Sequence, residues 1–251
     1  MEIITSRRNA LCVHIRKLGS KRGYRDETGE FLCDGLKLLE EAVNSGAEIV
    51  SVLAASDIPF PLPLDARVYS VQRGLLDSIS PLTNAQDVVF VCKKPSVARR
   101  IDAGGTYVLL DGVQDPGNVG AIMRTANAFG INAVILTGAC ADPYNPKSLR
   151  ASMGAVFRQS FFTADAEQLT VYREEGARFV AAAPGAGGRN VTEVDLSGAV
   201  ISIGSEGAGL SAEVLSLCGE TITIPIATGC ESLNAAVAAA VIMWESYKCR
   251  H

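Results

Sequence analysis

Histidine is nearly missing from this chain: its 251 residues include two, His14 and His251, each near a terminus. That argues against a Ser-His-Asp mechanism and against a histidine-ligated catalytic metal, so no metal site is expected. The seven cysteines (Cys12, Cys33, Cys92, Cys140, Cys218, Cys230 and Cys249) are scattered, odd in number and without a Cys-x-x-Cys pair. Neither a disulfide framework nor a zinc ribbon fits that usage, which is the usage of a reduced, cytoplasmic protein. No apolar run approaches the ~20 residues that span a bilayer, and the opening MEIITSRRNA has no signal-peptide core, so no membrane partner is expected. A G-x-G-x-x-G fingerprint and the Lys-Ser/Thr of a P-loop are both missing, which removes a Rossmann dehydrogenase and a P-loop nucleotide site. Internal repeats and low-complexity segments are lacking as well.

What is present is apolar and unevenly charged. Hydrophobic residues make up 48% of the chain and charged residues 20%, enough for a buried core and too little charge for disorder. The net charge of −4 opposes a polyanionic partner, but residues 1–100 hold 14 Lys/Arg against 12 Asp/Glu. Seven of those bases (Arg7, Arg8, Arg16, Lys17, Lys21, Arg22 and Arg25) lie in the first 25 residues beside a single acid, Glu2. A second group, Lys93, Lys94, Arg99 and Arg100, precedes residue 101. Such clusters suit phosphate contacts, and equally a solvated basic face.

Periodicity and turn residues divide the chain in two. In the first part the patterning predicts a helix over 3–18, a turn over 20–30, a strand at 31–33, and a helix over 35–45 with Asp34 as its cap. Strands follow at 49–54, 68–71 and 88–93, with a helix at 73–79. That is a small α/β module over residues 1–95, joined by a polar, basic linker at 96–105 to a second module at 106–251. The second module opens with YVLLD (107–111), apolar enough for a central parallel strand. Further strands are expected at 133–137, 161–162, 178–183, 200–203 and 221–224. The helices between them are expected over 121–130, out of a polar turn at Asn145–Gly154 with Lys147, Arg150 and Met153 in the helix, over 166–175 and up to Leu217. An Ala-rich helix from 235 closes the chain. The alternation predicts a mostly parallel sheet with helices on both faces.

Three loops place polar residues at the ends of apolar strands, where α/β proteins carry their chemistry. The first, DGVQDPGNVGAIMR (111–124), offers Asn118 as a helix cap or a site residue, glycines that admit a ligand to the backbone, and Arg124, either a surface charge or a phosphate clamp. The second, GSEGAGLS (204–211), is glycine-rich, yet Glu206 would repel a di- or triphosphate. The third runs from Pro225 to Asn234, where Ser232 and Asn234 read as caps or as site residues.

Together NVGAIMRTANAFG (118–130), ISIGSEGAGLS (201–211) and IPIATGCESLNAAVA (224–238) resemble, in order and spacing, the three motifs of the SpoU-type RNA ribose 2′-O-methyltransferases of the SPOUT superfamily. FLCDGLKLLEEAV (31–43) is similar to a strand-to-helix turn of the RNA substrate-binding domain that precedes many rRNA-directed members, with Asp34 where a glutamate is usual. The resemblance implies a parallel-sheet domain with a deep trefoil knot, preceded by a small α/β, ribosomal-protein-like RNA-binding domain, and a homodimer. It implies methylation of a ribose 2′-hydroxyl in RNA, 23S-type rRNA and guanosine favoured, with S-adenosylmethionine as cofactor. By the motif positions, Arg124, Asn118, Glu206, Ser232 and Asn234 would be catalytic, and Thr137, Gly204, Ile224 and Leu233 would bind the cofactor. Arg124 would grip the target phosphate and stabilise the developing alkoxide, and Glu206 would orient Arg124 or its loop. Arg7, Arg8, Arg16, Lys17, Arg22 and Arg25 are then read as contacts to the RNA backbone. A tRNA ribose methyltransferase, or an RNA-binding protein of this fold without activity, remain the alternatives.

Overall fold

The computed structural model describes residues 2–81, 86–102, 104–183 and 187–250; residue 103 of the expected linker and His251 lie outside the described residues. Along the chain run β1 (Glu2–Ile4), α1 (Ala10–Ser20), α2 (Arg22–Thr28), β2 (Glu30–Asp34), α3 (Leu36–Asn44), β3 (Ile49–Ala54), β4 (Arg67–Val71), α4 (Arg73–Ile79) and β5 (Val88–Lys93). Next come β6 (Tyr107–Asp111), α5 (Pro116–Ala128), β7 (Ala133–Thr137), α6 (Pro146–Ser152), β8 (Phe161–Thr163), α7 (Ala166–Glu174) and β9 (Arg178–Ala182). The last are β10 (Arg189–Asn190), β11 (Ala199–Gly204), α8 (Ala212–Leu217), β12 (Cys218–Thr223) and α9 (Ala235–Arg250). No helix among the described residues is long and apolar enough to cross a membrane.

Two compact units result: Met1–Ser96 with Asp142–Phe157, and Val97–Ala141 with Arg158–His251. The first therefore recruits a later stretch of chain, where the sequence suggests a single cut near residue 95. Its five-stranded sheet has the order β1-β4-β3-β5-β2, with β1, β4 and β3 parallel and β5 antiparallel to both its neighbours. Ile15 and Leu18 of α1, Leu75 and Leu76 of α4, and Leu32, Leu53 and Val89 of the strands form its core.

Three local expectations are corrected here. The first helix starts at residue 10, not 3, because Ile4 is buried as a strand residue beside β4 and Asn9 caps α1 through the Leu11 N–H. The segment expected as a turn forms α2, closed by Gly29 in the left-handed region at φ 66°. Asp34 does not cap α3; its carboxylate accepts from the Ser80 hydroxyl at 2.7 Å and from the Gln86 N–H at 3.1 Å.

The largest correction concerns Arg25. It is 3% exposed and donates through Nε and Nη2 to Asp142 Oδ2 at 2.8 and 2.5 Å, and through Nη1 to the Leu18 carbonyl at 2.6 Å. It cannot contact RNA. Asp142 also accepts from the Tyr144 N–H, and its carbonyl accepts from the Ser148 hydroxyl, so this carboxylate holds the 142–157 stretch in the first unit. An uncompensated buried charge is costly, and a sequence window cannot show a partner 117 residues away.

The second unit carries a seven-stranded sheet, order β10-β12-β9-β11-β6-β7-β8, parallel throughout. Its central strands are apolar on both faces, as burial between helices requires. The chain leaves β11 on one side of β9 and returns through α8 as β12 on the other. From there α9 packs on α5, turning Ala235, Ala239, Ile242, Met243 and Ser246 inward at helical spacing.

Breaking the Arg25–Asp142 pair is expected to destabilise the first unit by about 3–5 kcal/mol, read from urea unfolding of Arg25→Ala. Lys93→Ala, which opens an exposed pair with Glu48, is expected to leave the midpoint nearly unchanged.

Candidate active site

Parallel β/α units place their loops at the carboxyl ends of the strands, and the candidate site lies there in the second unit. Register aligns Gly204, Asp111 and Thr137 across the ends of β11, β6 and β7. The Asp111 carboxylate, 6% exposed, accepts from the Ser211 N–H at 2.6 Å and so fastens the loop after β11 to the end of β6. That loop turns sharply: Ser205 and Gly209 exchange backbone hydrogen bonds, and Gly209 has φ 70°. A Cβ on Gly204 would sit 2.1 Å from the Gly209 carbonyl carbon, so only glycine fits there.

At this turn three side chains from three distant loops meet. Glu206 Oε1 accepts from Asn118 Nδ2 at 2.8 Å, from Asn234 Nδ2 at 2.6 Å and from the Ala235 N–H at 3.2 Å. Asn234 Nδ2 also donates to Asn118 Oδ1 at 3.1 Å. Asn118 is free for this because it is not the cap of α5. Asp115 is, accepting from the Asn118 N–H, with Pro116 as the first helical residue. Asn234 plays both expected parts, since its Oδ1 accepts from the Ala236 and Val237 N–H groups at the start of α9. The glutamate therefore ties the first turns of α5 and α9 together, where the positive ends of the helix dipoles favour an anion.

Beside this clasp opens a cavity of about 680 Å³, within the range of small-molecule sites. Its walls come from Ile203 and Gly204 of β11, Ile222 of β12, the 224–233 loop, and Ala238 and Ile242 of α9. Glu206, Ser205 and Ser232 are its polar side chains nearest the turn. Between residues 225 and 233, the single described hydrogen bond joining two backbone groups runs from the Cys230 N–H to the Ala227 carbonyl. The other peptide groups of this largely exposed loop are open to solvent or to a ligand.

The geometry sorts the expected residues. Asn118, Glu206 and Asn234 touch one another, and Gly204, Ile224, Leu233 and Ser232 line the cavity. Thr137 does not: β6 separates its strand from β11, and its carbonyl accepts from Gly112 instead. Arg124 lies exposed on α5, six residues past Asn118, and makes no hydrogen bond or ion pair among the described residues. Glu206 is therefore committed to the two asparagines rather than to orienting Arg124. Of the basic residues, Arg7, Arg8, Arg16, Lys17 and Arg22 are exposed. Arg16 donates to the Arg7 carbonyl and Lys17 sits over the Tyr24 ring. Sequence reasoning missed Asp111 and Asp115; an acid at a strand end and an acid just before Pro-Gly were the available signals.

Comparison with known proteins agrees with this geometry. A sequence model of the SpoU rRNA Methylase family matches residues 105–244, and one of the MRM3-like substrate binding domain matches residues 9–89. The chain is 29% identical, over 97% of its length and 98% of the relative's, to the 23S rRNA (guanosine(2553)-2′-O)-methyltransferase of Bacillus subtilis. It is 32% identical, over 98% of its length and 92% of the relative's, to the 23S rRNA (uridine(2479)-2′-O)-methyltransferase of Streptomyces viridochromogenes. The crystal structure of an AdoMet-bound rRNA methyltransferase from Sinorhizobium meliloti superimposes with a TM-score of 0.86 at 31% identity, covering 98% of this chain and 97% of that one. With the family model matching more than half of its residues, this chain belongs to the SpoU rRNA methylase family.

Proposed function

We propose that this protein methylates a ribose 2′-hydroxyl of 23S-type rRNA, with guanosine as the favoured nucleotide, using S-adenosylmethionine. The observation that carries the reading is the Asn118–Glu206–Asn234 clasp beside a ligand-sized cavity, assembled from the three motif loops. The residues fit the cofactor: the apolar walls suit an adenine ring and the open peptide groups of the 224–233 loop suit its polar edge. When bound, the cofactor supplies an electrophilic methyl group on a sulfonium.

The chain's own work is positioning and charge. A 2′-hydroxyl is a poor nucleophile, so its oxygen must be held in line and stabilised as its proton leaves. Arg124 is the catalytic residue in this reading. Its guanidinium, without an ion pair among the described residues, grips the phosphate next to the target ribose and donates to the developing alkoxide. Asn118, Glu206 and Asn234 act as positioning residues that hold the two helix starts and the cavity wall, and Ser232 at the cavity edge orients the ribose. Exposed Arg7, Arg8, Arg16, Lys17 and Arg22 meet the RNA backbone.

Three further features complete the proposal. By its family the second unit forms a deep trefoil knot, with its C-terminal segment threaded through a loop. Two copies pair through α5 and α9, where Val237 is 50% exposed and Trp244, packed beside Phe129 and Tyr247, is 46% exposed. The seven unpaired cysteines accord with a reduced, cytoplasmic setting.

Methyl transfer from labelled S-adenosylmethionine to separated total rRNA and tRNA tests the reading. Label on rRNA that resists alkali at one dinucleotide is the expected outcome; label on tRNA instead would overturn the substrate. Arg124→Ala is expected to lower turnover by about 10²–10³-fold while leaving cofactor affinity intact. Glu206→Ala, by contrast, is expected to weaken cofactor binding itself in calorimetry, with Glu206→Gln in between. Trp244→Glu is expected to shift sedimentation from dimer to monomer.

A further inference from the structure

The first unit contains a second cavity, of about 540 Å³, that the methyl-transfer chemistry does not use. One wall is the first turn of α3, from Gly35 to Leu38; another is the end of α6, with Arg150, and the turn after it, with Met153. The two walls are tightly set. Gly154 has φ 87°, and a Cβ there would lie 2.9 Å from Glu41 Cβ on α3. Met153 is the one non-glycine residue with positive φ among the described residues, at 49°, and is 44% exposed. Such backbone strain is retained where a side chain must be aimed, and this one sets an apolar thioether at the cavity mouth.

The polar lining is equally specific. The Lys37 and Arg150 side chains are exposed and form no close ion pair among the described residues, and the Arg150 guanidinium lies near enough to the Asp34 carboxylate to act on it through space. Gln86 is held in place by its N–H bond to the Asp34 carboxylate, with its carboxamide on the cavity. The two cations and the carboxylates of Asp34 and Glu41 are equal in number, so the lining carries no formal net charge and suits a bare anion poorly. Leu36, Leu38 and Met153 supply apolar surface for a flat ring, Gln86 offers both a donor and an acceptor, and the two cations reach a flanking phosphate. That combination is the chemistry of one unstacked nucleotide. Proteins read RNA sequence from splayed-out bases more than from paired ones.

We infer that this cavity receives a single extruded nucleotide of the RNA substrate, its base on Leu36, Met153 and Gln86 and its phosphate on Lys37 and Arg150, and so contributes to choosing the RNA. The inference rests on the rRNA reading above and adds a recognition site to it.

The test uses the full-length protein with purified rRNA, reading RNA Kd by filter binding, KM and kcat for methyl transfer, and S-adenosylmethionine affinity. Arg150→Ala and Lys37→Ala remove the phosphate contacts, while Leu36→Trp fills the cavity and keeps both cations. Each is expected to raise RNA Kd and KM by about tenfold with kcat and cofactor affinity unchanged, the size of a lost charge-assisted contact. Unchanged cofactor affinity and an unchanged unfolding midpoint exclude a folding defect. If all three match wild type in Kd and KM, the inference is overturned while the methyltransferase reading stands. A loss in Arg150→Ala and Lys37→Ala but none in Leu36→Trp also overturns it, since the cations would then meet backbone with no base inserted. If wild type binds rRNA without methylating it, and all three variants bind more weakly, the recognition site stands and the substrate reading fails.

Discussion

One carboxylate organises the second unit. Glu206 reaches from the loop after β11 to Asn118 on α5 and to Asn234 and the Ala235 N–H at the start of α9, joining segments 88 and 28 residues away. The first turns of both helices meet at this carboxylate, and the loop that carries it is itself held by Asp111 and by the Gly204–Gly209 turn. The cavity wall is built from those same loops. A change at Glu206 is thus felt by the fold and by the ligand site alike, because one oxygen serves three donors.

Burial and charge divide the basic residues into two kinds. Arg25, the residue most deeply withdrawn, uses its guanidinium to hold Asp142 and with it the 142–157 stretch. Lys93, Lys94 and Arg100 pair with Glu48, Asp26 and Asp102, as Arg22 does with Asp26, in mostly exposed and therefore weak pairs. Arg124 and Lys37 are the contrasting case, exposed side chains with no ion pair among the described residues, while Arg150 shares its cavity with the Asp34 carboxylate it acts on. Unpaired charge next to concave surface is what phosphate recognition requires, and a composition count cannot separate the two kinds.

The second cavity shows how a stretch that belongs by sequence to one module can serve another. Residues 142–157 lie between β7 and β8, yet their turn with Met153 at positive φ closes against α3. Strain at Met153 and the tight fit of Gly154 are consistent with a position set by its neighbours rather than by local preference.

By itself the sequence determined most of the local structure. The strands at 49–54, 88–93, 107–111 and 133–137 and the helix at 73–79 sit where their apolar runs and turn residues put them, because burial and capping act within a few residues. It also placed Asn118, Glu206 and Asn234 in one family pattern. Tertiary structure alone decided what those residues touch. That Asp115 caps α5 and frees Asn118, that Thr137 stays clear of the cavity, and that Arg25 is buried all depend on partners far away in sequence. The ends of elements moved for the same reason: Ile4 became a strand residue, and Arg22–Thr28 a helix, when long-range pairing outweighed local propensity.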